Sequence, residues 1–120
     1  MRILFDQGTP RQLRSSLRPH TILTTLAMGW DRLTNSLLLD AAEREGFEIF
    51  ITTDKNLPYQ QNLKRRKIAI IVLQNPDWAD LQMNTAAILD AIKNARPGTA
   101  TSVEAVASFG TFLNEEEAEG

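Results

Sequence analysis

Cysteine is absent and histidine occurs once, at His20. The first absence excludes disulfides, thiolate nucleophiles and zinc-thiolate sites, and the second excludes histidine-rich metal clusters. A metal bound by this chain is therefore hard and held by oxygen. No apolar run reaches the about 18 residues of a membrane span. Met1-Arg2-Ile3 leads into a strand pattern rather than a signal peptide, so the expectation is a cytoplasmic protein with no membrane partner. Repeats and low-complexity linkers are also missing, and 120 residues suffice for one domain with a sizeable core but not for two.

The net charge of −2 hides an asymmetry. Residues 1–67 carry 11 Lys and Arg against 7 acids, whereas residues 68–120 carry 2 against 8. A basic first half fits an anionic ligand at one end, although helix faces and solvated tails produce such imbalances as well.

In chain order, Arg2–Phe5 reads as a central apolar strand. Pro10–Leu17 reads as a helix capped by Thr9, with Leu13 and Leu17 on one face. His20–Thr24 is a second strand. The spacing of Leu38, Ala41 and Ala42 predicts a helix over Thr34–Glu45, stopped at Gly46 in the left-handed position. Phe47–Thr52 is the third strand, and a short helix is expected from Pro58 through Leu63 into the basic run Lys64–Lys67. Ile68–Leu73 is apolar throughout, as in a strand covered on both faces. Asp77–Ala95 reads as one long helix, Thr101–Val106 as an edge strand, and 109–120 as an acidic, frayed C-terminal tail after a domain of residues 1–108. This alternation predicts a three-layer α/β domain on a mostly parallel sheet of four or five strands.

Ligands of parallel sheets bind beyond the strand carboxyl ends, where Asp6 and Asp54 both fall. Gln7, Gly8 and Thr9, together with Asn56, Gln74 and Asn75, converge on that crevice. Two carboxylates among amides and hydroxyls suit Mg²⁺ or Mn²⁺, which often takes one or two carboxylates and fills its shell with water and phosphate. Asp6 and Asp54 are equally explained as loop caps of the segments that follow. Arg11, Arg14 and Arg18 form a basic stripe beside the Asp6 loop, and Lys55 adjoins Asp54. These cations fit RNA phosphates or a solvated face. His20 reads as structural or as a phosphate contact, and Trp30, Tyr59 and Trp78 as packing or as stacking platforms for bases.

The segments Arg2-Ile-Leu-Phe-Asp6-Gln-Gly-Thr-Pro10, Gly29-Trp30, Leu38-Leu-Asp-Ala-Ala42, Gly46-Phe47 and Thr52-Thr-Asp54-Lys-Asn-Leu57 resemble, in order and spacing, small prokaryotic PIN-like domain proteins. The run Asp54–Asn62 looks like a subgroup signature. The resemblance implies an α/β/α fold and a nuclease in which clustered acids hold Mg²⁺ or Mn²⁺ to cleave RNA. It also implies the toxin role in a toxin-antitoxin pair, with an antitoxin protein as partner; a homodimer is a separate expectation that the resemblance does not carry. Asp6 and Asp54 match the acids after the first and third strands, as catalytic and metal residues. Asp40 is a further metal candidate, and Gln7, Thr9, Arg11, Lys55 and Asn56 would bind substrate. The chain departs from the family pattern in three ways: Gln7 and Leu37 stand where relatives carry acids, and the fourth acidic position has no match, with only the amide oxygens of Asn56 or Gln60 to replace it. A catalytically degenerate PIN-like domain that binds RNA or a protein is therefore the alternative expectation. A third is a receiver-like phosphoacceptor, which shares acids at strand ends but pairs two after its first strand.

Overall fold

The protein is described by a computed structural model over residues 1–104. The acidic tail and the last residues of the expected edge strand lie outside the described residues. Five strands, β1 (Arg2–Phe5), β2 (Thr21–Thr24), β3 (Ile49–Thr52), β4 (Ala69–Leu73) and β5 (Ala100–Val103), form one parallel sheet in the order β2-β1-β3-β4-β5. Helices α1 (Leu13–Ser16), α2 (Asn35–Arg44), α3 (Trp78–Leu81) and α4 (Thr85–Asn94) and two 3-10 turns, Leu57–Gln60 and Leu63–Arg65, make the connections.

Side chains alternate across a strand, so the apolar runs supply two cores at once. Ile3, Phe5, Ile49, Ile51 and Ile71 face Leu13 and Leu17 with Leu81, Ile88 and Ile92. On the other face Leu4, Phe50, Ile70 and Val72 meet Leu38, Leu39 and Ala42 of α2 and Leu57. The result is a three-layer α/β/α arrangement. Leu39 and Phe50 are fully buried, and truncating either to Ala costs about 2–5 kcal/mol.

Helix α2 ends as its sequence requires. Gly46 adopts φ +80°, its N–H donates to the Glu43 carbonyl, and the Phe47 N–H donates to the Ala42 carbonyl. This pair of hydrogen bonds is the Schellman stop, closed by Phe47 and Ala42 in one apolar cluster.

Three expected helices are shorter than their patterns. The segment after Pro10 is held by bonds from Leu13 to Pro10 and from Arg14 to Arg11, three residues back, so only Leu13–Ser16 is α-helical. Thr9 does not cap it, because its buried hydroxyl donates to the Ile51 carbonyl of β3 at 3.1 Å. The stretch from Pro58 to Lys67 forms 3-10 turns separated by extended Gln61. The long helix over Asp77–Ala95 is divided at Asn84, whose side-chain amide donates to the Asp80 carbonyl and competes with helical bonding.

The connections differ in hand. The β1–β2 and β4–β5 connections pack on the same face but step toward opposite edges of the sheet. The β2–β3 and β3–β4 connections lie on the other face and step the same way as β4–β5. Three crossovers thus share one hand and the β4–β5 crossover has the other, against a strong general preference for a single hand. Its consequence is local: Ala100 and Ser102, on the face away from α4, are exposed.

Candidate functional site

The sheet order reverses direction between β1 and β3, the topological switch point at which parallel sheets bind ligands. Phe5 pairs with Ile51, and the Asp6 N–H donates to the Ile51 carbonyl at 2.9 Å. That register sets Asp6 beside Thr52. The Thr52 hydroxyl donates to Asp6 Oδ2 at 2.7 Å, and Thr52 Oγ1 accepts the Asp54 N–H at 3.0 Å. A hydroxyl has one proton to give, so the bonds form a directed chain from Asp54 through Thr52 to Asp6. Asp6 Oδ1 accepts the Gln7 N–H at 2.9 Å. Asp54 Oδ1 accepts the Asn56 N–H at 3.0 Å and opens the 3-10 turn. Both acids therefore cap their loops while standing on the carboxyl edge. Gly8 brings the β1 loop against β3, since a Cβ there would collide with Thr53 Oγ1.

Two clefts flank this link. The first, of about 480 Å³, lies toward β2 and is lined by Asp6, Gln7, Thr9, Arg11, Thr25 and Leu26 among others. Thr25 is buried and its hydroxyl has no hydrogen-bond partner among the described residues. The second, also about 480 Å³, lies toward β5 and includes Lys55, Asn56, Tyr59, Gln74 and Ser102. The substrate-binding residues expected from the sequence thus divide between two cavities: Gln7, Thr9 and Arg11 line one, Lys55 and Asn56 the other. Gln7 also donates from Nε2 to the Asp31 carbonyl at 3.3 Å. Arg11, Arg14 and Arg18 are all exposed, although the helix meant to align them spans only Leu13–Ser16.

Asp40 is used elsewhere. Its Oδ1 lies 2.5 Å from Arg66 Nη1, which also meets Glu43 Oε1 at 2.8 Å. The other Arg66 nitrogen, Nη2, donates to Gln61 Oε1 at 3.0 Å and to the Ser36 carbonyl at 3.3 Å. Glu43 Oε2 accepts the N–H groups of Lys67 and Ile68. Burial pushes the Glu43 carboxyl up, but the Lys67 N–H, the Arg66 guanidinium, the Ile68 N–H and the Arg66 charge together hold it below its usual value. For Arg66, burial alone would lower the pKa, and hydrogen bonds and charge from Glu43 and Asp40 raise it. Arg66 is thereby withdrawn from the basic run, leaving Lys64, Arg65 and Lys67 exposed.

Among the described residues no three acidic or imidazole groups gather as a metal-holding cluster. The donors at Asp6 are one carboxylate and neighbouring hydroxyl oxygens, with Asp54 attached through Thr52. That set fits one hydrated hard cation, with water and phosphate completing its shell, and not a closed protein cage. Thr52 is the residue that reading by motif passed over. Its signal is a hydroxyl two positions before the acid, at a strand end.

Fold and site define a parallel α/β domain with a polar crevice at its switch point. Compared with known protein families, curated proteins and solved structures, the chain matches none.

Proposed function

We propose that this chain is a PIN-like domain that cleaves RNA with Mg²⁺ or Mn²⁺ at the carboxyl edge of its sheet, as the toxin of a toxin-antitoxin pair. The observation that supports this most is the hydrogen-bonded link Asp6–Thr52–Asp54 at the switch point. Asp6 is the first residue to hold the ion and Asp54 the second. When bound, the ion supplies Lewis-acid stabilisation of a phosphoryl oxygen and lowers the pKa of a water. Thr52 fixes the direction of the Asp6 carboxylate, and Arg11 and Lys55 bind phosphate oxygens on either side. The antitoxin partner, the homodimer and the cytoplasmic location rest on the sequence and its resemblance.

A second reading, RNA or protein binding without cleavage, draws on two observations. Asp40 is held by Arg66, and Leu37, where relatives carry an acid, is 55% exposed with no carboxylate to offer. The receiver-like reading is weaker, because only Asp6 follows β1 and the lysine that receivers carry at the end of the last strand has no match where β5 closes on Ser102-Val103.

Calorimetric titration with Mn²⁺ of the wild type, Asp6→Asn and Asp54→Asn, followed by an RNA cleavage assay with and without metal, separates these readings. The nuclease predicts stoichiometric binding lost in Asp6→Asn, and cleavage lost in both variants. Metal binding that ignores both substitutions refutes it, and RNA binding without cleavage moves the assignment to the second reading.

A further inference from the structure

We propose that Thr25 is a metal-holding residue: its hydroxyl oxygen ligates, beside the Asp6 carboxylate, the divalent cation of the nuclease reading, on which this inference rests. The two residues belong to adjacent strands. Phe5 pairs with Thr24, and the Thr25 N–H donates to the Phe5 carbonyl at 3.0 Å, so Thr25 stands beside Asp6 one residue further along. Side chains alternate across each strand. The row Leu23–Leu4–Phe50 on the α2 face therefore continues, two residues on, as Thr25–Asp6–Thr52. The Thr52 hydroxyl holds Asp6 from the β3 side. Thr25 flanks it from the β2 side, and Asp6 and Thr25 both line the cleft of about 480 Å³.

Three threonines line that cleft, and two of them are used by the fold. The Thr9 hydroxyl donates to the Ile51 carbonyl, and Thr24 Oγ1 accepts the Ala27 N–H at 3.0 Å. Thr25 is 1% exposed, and its hydroxyl has no partner among the described residues. A buried hydroxyl left unmatched costs stability, and native structures rarely contain one. Valine has the same shape and suits a strand as well, so packing gives no reason for the hydroxyl, whereas a ligand does. Asp6 indicates which ligand. Each of its oxygens accepts one hydrogen bond, and a carboxylate has about four acceptor positions, so lone pairs remain for a cation. The Ser/Thr hydroxyl of phosphate-binding loops ligates Mg²⁺ in the same way. Ligand oxygens of Mg²⁺ lie about 2.0–2.1 Å from the ion and so within about 4.2 Å of one another, a span that side chains of strands about 4.8 Å apart can close. Asp6 and Thr25 then offer the ion two protein oxygens from neighbouring strands, while Asp40 is engaged by Arg66.

The test compares the wild type with Thr25→Val, Thr25→Ser and Asp6→Asn by calorimetric Mn²⁺ titration, by melting in EDTA and by water-proton relaxation of the bound Mn²⁺. Thr25→Val should weaken Mn²⁺ binding about tenfold and leave an additional water on the bound ion, which raises its relaxivity. In EDTA the same variant should melt at or slightly above the wild-type temperature, because an unmatched buried hydroxyl is gone. Thr25→Ser keeps the oxygen and should bind Mn²⁺ as the wild type does. Wild-type Mn²⁺ affinity in Thr25→Val, or equal losses in the Val and Ser variants, would overturn the proposal. A lower melting point of Thr25→Val in EDTA would also overturn it, by showing that the hydroxyl serves the fold. Mn²⁺ binding abolished in Asp6→Asn but untouched in Thr25→Val removes the ligand role of Thr25 alone, whereas no Mn²⁺ binding by the wild type removes it together with the nuclease reading.

Discussion

Replacing Thr52 by Val keeps the shape of a fully buried residue and removes one oxygen. That oxygen serves two partners: it donates to Asp6 Oδ2 at 2.7 Å and accepts the Asp54 N–H at 3.0 Å. A hydrogen bond to a charged group is worth about 1.5–3 kcal/mol, and a stranded N–H costs about 1–3 kcal/mol. Asp54 is half-buried, so water recovers part of the second amount, and the extra apolar surface of Val offsets more. The expected net loss is about 2–3 kcal/mol, a large share of the roughly 5–15 kcal/mol typical of a domain. Urea unfolding should show it as a lower midpoint with an unchanged slope, and heating as a melting point down by about 10 °C. Thr52→Ser keeps the hydroxyl and should recover most of the loss despite its missing methyl. Metal affinity should follow the same order if Asp6 needs its orientation. A Val variant within about 0.5 kcal/mol of wild type, or a Ser variant as unstable as Val, would show that the hydroxyl bridge does not hold the edge together.

Two other substitutions probe the frame around the site. Glu43→Gln should cost about 1–2 kcal/mol at neutral pH, the low end for charged hydrogen bonds, because solvent reaches this cluster through half-exposed Asp40. The folded carboxyl lies below its usual 4.5, so its contribution is present above the unfolded value and is lost as pH falls through the lowered folded value. Denaturation curves of the two proteins should therefore converge below about pH 4.5; a gap that stays constant down to pH 3 would contradict the ion-pair explanation. Gly8→Ala should destabilise by about 1–2 kcal/mol as the new methyl meets Thr53 Oγ1. Adding Thr53→Ala should return most of that loss in a double-mutant cycle, and strictly additive costs would rule out the collision.

The strands were legible because burial on both faces leaves an uninterrupted apolar run, as in Ile68–Leu73. Gly46 was legible because a left-handed stop leaves few alternatives to glycine. Placing Asp6 and Asp54 on one edge followed from strand direction alone. What escaped depends on partners distant in sequence. Thr9 resembles a cap until β3 offers it a carbonyl 42 residues away. Asp40 resembles a free acid until Arg66, 26 residues later, claims it. The bridge through Thr52 exists only in the observed register of β1 on β3, and no local pattern encodes a register. The break at Asn84 has a local cause, a side chain that bonds four residues back, but the apolar spacing of Leu81 and Ile88 runs straight across it.

The odd hand of the last crossover also bears on solubility. A parallel sheet normally hides both faces under helices, whereas β5 offers solvent one face and, among the described residues, its outer edge. Such a strand is a template for adventitious pairing between molecules. Its composition answers the hazard: four residues long, with Thr101 and Ser102 at its centre and Val103 alone turned into the core. A short polar strand lowers the tendency to pair at a flank that the described residues leave uncovered, and apolar replacements at Ala100 or Ser102 should raise aggregation before they change stability.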